Sequence, residues 1–403
     1  MRTDVVICGA GVAGLAAAHA LGRSGRRVLL LDKQSTFTRA AKGEVLQPGA
    51  LEILREWGVI ARLEERGALR LSRLVACDRH GNEQMALEYG ALPGQHAWLL
   101  AAEHATILRA LAATLPDTVD FRQGVLVREA LRADGRVAGV ALKNEQVRAD
   151  LVVAADGVSS RLRGTKPEKK DYPHRLVALD IPGSVKPDFT AYVSGRGLRL
   201  MYPLPGGRVR LYVQTEPDEL RGLDQDALRR WSDGLVAELP VLASLAIRDG
   251  LATRQLLPVS RFLARKLAEP GLALVGESGH TVHPMAAQGM NSAIADADRL
   301  AFQLASNPDP ERALRAYAAE RLPSLVRIGQ TSHNAARMLT DLSWVGRTLG
   351  RRALRHTGRN ERLRYTVMHN MSGLGEHPLS PLDRLFQLGL LPDPRASRRP
   401  VWA

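Results

Sequence analysis

Thr3-Asp4-Val5-Val6-Ile7-Cys8-Gly9-Ala10-Gly11-Val12-Ala13-Gly14 stands near the start of the 403-residue chain. Its first six residues make a short, β-branched, apolar run, the pattern of a strand buried on both faces of a parallel sheet. The pattern Gly9-x-Gly11-x-x-Gly14 follows at once, and residues 13–21 read as an alanine-rich helix able to lie close to a sheet. Residues 27–32 form a second apolar strand. Strand, glycine turn, helix and strand within about 30 residues make a βαβ unit. In such a turn Gly9 permits the tight bend, Gly11 lets the backbone approach a pyrophosphate, and Gly14 lets helix and sheet pack closely. The helix N-terminus then offers unpaired N–H groups and positive potential to phosphates. Asp32 ends the next strand, eighteen positions after Gly14, where an acid can hold a ribose hydroxyl. A dinucleotide site follows, although the glycine pattern alone does not separate FAD from NAD.

Outward from this unit, residues 48–57 read as a helix stopped by Gly58, residues 71–89 as strands, and residues 104–115 as a helix. Residues 120–142 alternate like a meander, with Asp134-Gly135 as a turn. Between about residues 175 and 258 the character changes. Leu198-Arg-Leu-Met201-Tyr202-Pro-Leu204 and Arg208-Val-Arg-Leu-Tyr-Val-Gln alternate with period two around Gly206-Gly207, which predicts an antiparallel hairpin with one covered face. Long helices follow over residues 288–304 and 310–339. The expectation is an α/β protein: a Rossmann-type domain with an inserted antiparallel-sheet domain and C-terminal helices. Its parts are a βαβ region (1–72), strands of the inserted domain (73–100), a return to the first domain (101–174), the antiparallel sheet (175–265), a second return with helices (266–340), and a helical C-terminal segment (341–403).

Two later segments identify the dinucleotide. Asp150-Leu-Val-Val-Ala-Ala-Asp156-Gly157-Val-Ser-Ser160-Arg-Leu-Arg163 is a strand ending in Asp-Gly. Leu274-Val-Gly276-Glu277-Ser-Gly-His280-Thr-Val-His283-Pro284-Met-Ala-Ala-Gln288-Gly289-Met-Asn291 is a strand ending in Gly-acid, a loop and a helix start. With three such motifs in this order, the chain resembles the class A flavoprotein monooxygenases, the family of para-hydroxybenzoate hydroxylase, over most of residues 1–340. The resemblance implies that fold, bound FAD, NAD(P)H as a transient co-substrate and activation of O₂ at the flavin. Gly9, Gly11, Gly14, Asp32, Asp156, Gly157, Gly276, Glu277, Gln288, Gly289 and Asn291 then become cofactor-binding candidates. A carboxylate after the last strand can reach the ribityl hydroxyls, and the helix dipole from Asn291 onward can stabilise negative charge on the flavin pyrimidine. Pro284, with fixed φ and no N–H, suits a rigid wall beside the ring.

This chain departs from the family in three places, one of them around Glu103-His104, where relatives often carry Arg or Gln near the flavin and no clear equivalent aligns. Glu277 stands where an Asp is usual, one methylene longer. Lys42, in Lys42-Gly-Glu44-Val-Leu-Gln47-Pro48, falls where the family's type member has a pyrophosphate-contacting Arg, and a lysine keeps the charge without the bidentate fork. The stretch from Gly43 to Gly49 is also similar to a squalene epoxidase signature, and the His-x-x-His-Pro array resembles hydroxylases of secondary metabolism and quinolone pathways. Both favour an apolar aromatic or polyene-like substrate. His283 is the candidate acid–base group, with His280 beside it, since an imidazole can titrate near neutral pH; a loop-fixing role fits each equally. Met201, Tyr202 and Leu204 are candidates for the substrate-pocket wall. Two rivals remain at this point: a flavin-dependent reductase of the geranylgeranyl reductase type, and a non-catalytic flavin-binding partner.

Composition narrows the partners. Two cysteines, Cys8 and Cys77, make neither a disulfide framework nor a metal-ligand spacing, so a reducing cytoplasm and no metal are expected. Asp4 interrupts the N-terminal apolar run, which argues against a signal peptide, and no run of about 18 apolar residues occurs. The net charge is +14, but no nucleic-acid motif accompanies it, and aromatics at 4% leave few stacking platforms. The densest basic cluster, Arg347, Arg351, Arg352, Arg355, Arg359, Arg362 and Arg364, lies in a helix-like segment with Trp344, Leu349 and Leu354. A solvated helix face or a peripheral membrane contact both fit it.

Overall fold

Val5, Val6 and Ile7 are fully buried because their strand, Arg2–Cys8, is the middle of a sheet covered on both sides. The computed structural model describes residues 1–37, 41 and 43–402; Lys42 lies outside the described residues. Arg2–Cys8 pairs in parallel with Gln146–Ala154 on one side and Val28–Asp32 on the other. Val119–Gln123 extends the sheet beyond Val28–Asp32, and Leu272–Leu274 extends it beyond Gln146–Ala154, again in parallel. Glu129–Ala133 and Arg136–Ala141 form a hairpin turning at Asp134 (φ 50°) and Gly135 (φ 75°) and joining Gln146–Ala154 antiparallel. Helix Val12–Arg23 covers one face and is covered in turn by helix Gln288–Ser306. Its alanines keep both approaches short.

The second sheet has eight strands in the order His280–Thr281, Gln255–Leu263, Lys170–Pro182, Arg208–Thr215, Gly197–Leu204, Asp188–Ser194, Arg73–Asp78, Glu83–Glu88. Its neighbours run antiparallel except for the Asp188–Ser194 and Arg73–Asp78 pair. Helix Pro310–Thr340 runs from the first sheet to this second one, with Pro323 inside it. Trp344–Arg359, Glu361–Ser372 and Pro381–Gln387 complete the C-terminal helices.

The second sheet departs from the one-face expectation. Every residue of Gly197–Leu204 is buried, and so is every residue of Arg208–Thr215 except half-buried Arg208. Leu200, Tyr202 and Leu204 face the loop around Ala41, Val45 and Met285. Met201, Leu211 and Val213 face the opposite way, under Leu228, Leu235, Leu242 and Ile247. The polar positions that looked solvent-facing hold arginines whose charge is neutralised inside: Arg199 meets Glu238 at 2.9 Å and Arg210 meets Glu44 at 2.8 Å. A two-sided burial was disguised by paired charges.

Candidate active site

The glycine turn is shaped by what its glycines touch. Gly9 has φ 104°, and a side chain there would strike the Ala155 carbonyl just before Asp156. A side chain at Gly14 would strike the Gly9 carbonyl. At Gly11 the added carbon would meet nothing within 4 Å, so this stretch of backbone is open to a ligand. Gly11 caps helix Val12–Arg23 with no side-chain hydrogen bond, which leaves the first-turn N–H groups directed at that opening. The Asp32 carboxylate accepts from the backbone N–H of Ala10 and, at 2.7 Å, of Gln34. It therefore braces the turn besides standing at the end of its strand.

The second and third motifs converge on the first. Asp156 Oδ2 accepts the Arg161 N–H at 2.8 Å, whereas Oδ1 is buried without a hydrogen-bonding partner among the described residues. Gly157 follows at φ 82°. The Arg163 guanidinium donates to the Val158 carbonyl at 2.9 Å and the Ser278 carbonyl at 2.8 Å, tying the Asp-Gly and Gly-acid segments together. Gly276 (φ 58°) lies so close to Ala13 that an added carbon would come within 2.6 Å of its Cβ, and within 3.2 Å of Ala293. Glu277 is half-buried in the short 3₁₀ turn Gly276–Ser278. An orphaned carboxylate oxygen, an open glycine backbone and an uncapped helix end together fit the hydroxyls and pyrophosphate of FAD.

Behind Gly276 sits a knot that sequence reasoning missed. Asp296 is 1% exposed, and its Oδ2 accepts from the Gly276 N–H and from His280 Nε2, each at 3.0 Å. Its Oδ1 meets Arg321 Nε at 2.8 Å. Burial works to raise the Asp296 carboxyl, but Arg321 first and then His280 hold it below the usual carboxylate range. His280 is thus bound into this buried triad. Asp296 lay within sight, five residues after Asn291; Arg321, on another helix, carried no signal.

His283 is fully buried, and both ring nitrogens are engaged. Nδ1 accepts the Met285 N–H at 3.2 Å, which leaves Nε2 to donate to His174 Nε2 at 3.1 Å. The Tyr172 ring meets His283 edge-on, with centroids 4.8 Å apart. Burial, then His174 and His333, push its pKa down to about 3. Pro284 beside it is exposed, so the loop turns its rigid ring outward while the imidazole anchors it from behind. Ala287 takes φ 50° to start helix Gln288–Ser306. Gln288 donates to the Met371 carbonyl at 2.6 Å. Asn291 Oδ1 accepts the Gln47 N–H at 2.7 Å, and its amide donates to the Val45 and Ala287 carbonyls. The helix start is thereby tied to the segment after Gly43, with half-buried Gly289 between these anchors.

Tyr202 and Leu204 face that same segment, and Met201, on the other face, does not join them, because successive strand residues alternate sides. The Tyr202 hydroxyl donates to Glu44 Oε2 at 3.0 Å, and Arg210 clamps both Glu44 oxygens at 2.8 Å. Tyr212 donates to the Ala41 carbonyl at 3.2 Å, and Phe189 stacks on Tyr202 at 5.1 Å. Burial raises the pKa of both phenols, so they stay protonated. Glu44, Arg210 and Tyr212 were not among the sequence candidates. The signal for Glu44 was an acid directly before the apolar pair Val45-Leu46.

The model of one family, described as an FAD binding domain, matches residues 2–332. 6-methylpretetramide 4-monooxygenase from Streptomyces rimosus is 28% identical, over 96% of this chain and 96% of its own length. Squalene epoxidase 2 from Arabidopsis thaliana is also 28% identical over 73% of this chain, which spans 52% of that protein. Among solved structures, PqsL from Pseudomonas aeruginosa in complex with 2-aminobenzoylacetate is 25% identical, with a TM-score of 0.75, covering 85% of this chain and 98% of that one. p-Nitrophenol 4-monooxygenase from Pseudomonas putida superposes with a TM-score of 0.79 over 94% of this chain and 100% of its own, at 17% identity, a likeness of fold.

Proposed function

Because the chain belongs to the FAD-binding domain family and is an FAD-dependent monooxygenase, we propose that it oxygenates a small, apolar aromatic or olefinic molecule. One atom of O₂ enters the substrate, the other leaves as water, and NAD(P)H supplies the two electrons. FAD, when bound, supplies the redox chemistry and the activation of O₂. The observation that carries the substrate class is the sheet face with Leu200, Tyr202, Leu204 and Phe189, which packs in one apolar cluster with Met285, the residue after Pro284. Its cations are already neutralised, Arg210 by Glu44 and Arg208, the cross-strand partner of Leu204, by Asp180 at 2.6 Å. Such a wall favours apolar bodies with few orienting contacts. Supporting relatives act, by their names, on 6-methylpretetramide and on squalene.

The chain's own residues divide the remaining work. Gly11 and the first turn of Val12–Arg23 would receive the pyrophosphate, Asp32, Asp156 and Glu277 would hold hydroxyls, and the start of Gln288–Ser306 would serve the pyrimidine. Pro284, exposed on its loop, would wall the ring. We assign His283 the positioning of this loop, since a neutral imidazole with pKa about 3 and both nitrogens engaged is a weak base at neutral pH. The test is substrate-stimulated NAD(P)H oxidation across a panel of neutral aromatics, linear olefins and their carboxylated analogues. Stimulation by the neutral members supports the class; stimulation by the carboxylated ones alone overturns it.

We also propose that helix Trp344–Arg359 touches an anionic membrane surface, from which an apolar substrate can be drawn. Among the described residues no helix is long and apolar enough to cross a membrane. Trp344, Val345 and Leu349 are 74%, 55% and 43% exposed at the start of helix Trp344–Arg359. Arg351, Arg355 and Arg359 follow on that helix, without carboxylate partners among the described residues. Aromatic and aliphatic groups beside unpaired arginines suit anionic headgroups. Co-sedimentation with phosphatidylserine vesicles, weak with neutral ones and reduced in Trp344→Ser, is expected. No sedimentation, or self-association alone, contradicts it.

A further inference from the structure

A cavity of about 540 Å³ opens between strand Lys170–Pro182, strand Gln255–Leu263 and the end of helix Pro310–Thr340. Lys170, Tyr172, His174, Arg261, His333 and Arg337 line it. Its charge arrangement is unusual for a sheet edge. Lys170 and Arg261 are direct cross-strand partners in the antiparallel register. Like charges in that position repel. Arg337 adds a third cation from the helix. Among the described residues neither Arg261 nor Arg337 has a side-chain hydrogen bond or a carboxylate within ion-pair distance.

The acids nearby are largely committed. Asp171 pairs with Lys169 at 3.2 Å, and Asp341 accepts the Ser343 N–H at 3.0 Å. Glu216 is the remaining carboxylate in the lining. Tyr172 and His333 bond to each other at 3.0 Å, hydroxyl to Nδ1, and present hydrogen-bonding groups to the same space. Lys170 has Glu168 at 3.7 Å, so the guanidinium groups of Arg261 and Arg337 are what the described lining leaves without a carboxylate within ion-pair distance. A bound anion relieves that repulsion, and a planar guanidinium is matched to a carboxylate or phosphate by its fork of donors.

We propose that this cavity binds an oxyanion, a carboxylate or a phosphate, held by Arg261 with Lys170 and Arg337 and oriented by Tyr172 and His333. The site lies behind the candidate active-site loop. His174 in its wall bonds His283, the residue before Pro284. Two sources carry this chemistry to such a place: a phosphate of the nicotinamide co-substrate, or a carboxylate on the molecule being oxygenated. Both sources rest on the monooxygenase reading; the anion site itself rests only on the cavity.

The test is calorimetric titration of the FAD-loaded protein with NADPH, NADH, inorganic phosphate, benzoate and phenol, with no turnover required. If the co-substrate is the source, NADPH binds more tightly than NADH, inorganic phosphate competes, and Arg261→Ala/Arg337→Ala removes the difference. If a substrate carboxylate is the source, benzoate binds more tightly than phenol, and the double variant removes that difference instead. Either loss should be about tenfold or more, the range of a charge-assisted contact. Arg261→Lys should keep part of the affinity, and Tyr172→Phe should weaken it less than the double variant. The proposal is overturned if the native protein shows neither preference. It is equally overturned if the double variant, with full FAD content and a native circular dichroism spectrum, retains the preference. Such a failure leaves the oxygenation reading standing, because only product analysis bears on that.

Discussion

Asp156 and His283 show how much a single residue's role depends on what its atoms already touch. Asp156 keeps one oxygen buried and unpartnered, which is costly unless a ligand donates to it. Asp156→Ala should therefore weaken FAD binding by about 1–3 kcal/mol, the range for stranding a ligand's hydrogen-bonding groups. Equilibrium dialysis of FAD against both proteins checks this, and equal affinities would remove Asp156 from the cofactor site. His283 is the reverse case, with both nitrogens spent inside the protein. Its folded pKa of about 3 lies below the ordinary 6.5. Below pH 6.5 the unfolded chain takes up a proton that the folded one refuses, so stability falls as the pH drops from 6.5 toward 3. The slope from this group approaches about 1.4 kcal/mol per pH unit, and above pH 6.5 it contributes none. His174, also depressed by burial, acts with the same sign. Urea midpoints measured between pH 5 and 8 should show this fall, and His283→Gln should flatten it. An unchanged slope would mean that the imidazole is not held neutral.

At the scale of elements, the strand-turn-helix and the two later motifs were legible because each is written in contiguous residues. Gly9, Gly14 and Gly276 each permit an approach that any side chain would block, so the demand appears directly as glycine. The second sheet was legible in its period of two but not in its burial. Arg199 and Arg210 look like solvent-facing positions until Glu238 and Glu44 arrive from distant segments to neutralise them. The Asp296–His280–Arg321 triad hid for the same reason, since its arginine comes from a separate helix. Alternation also separates Met201 from Tyr202 and Leu204, which yields a paired prediction. Leu204→Trp should impair substrate affinity or divert NAD(P)H oxidation to hydrogen peroxide, because a displaced substrate is out of reach of the reacting oxygen. Met201→Trp overpacks the opposite face and should lower stability by about 1–3 kcal/mol with coupling intact. Coupling ratios and thermal melts on both variants decide it; uncoupling by Met201→Trp alone would place the pocket on the other side of the sheet.

For the whole molecule, two sheets share one long helix, and the loop from His280 to Asn291 runs between them. In the proposed assignment the cofactor cradle belongs to the first sheet and the apolar wall to the second, so oxygenation would require both to meet at that loop. The most direct measurement is mass analysis of the product formed by the yellow holoprotein with NAD(P)H, a neutral aromatic or olefin and ¹⁸O₂. One ¹⁸O atom per product molecule, with one NAD(P)H consumed for each, is the predicted result. A product that gains hydrogen without ¹⁸O, or NAD(P)H consumed with no labelled product from any substrate that stimulates it, would contradict the account.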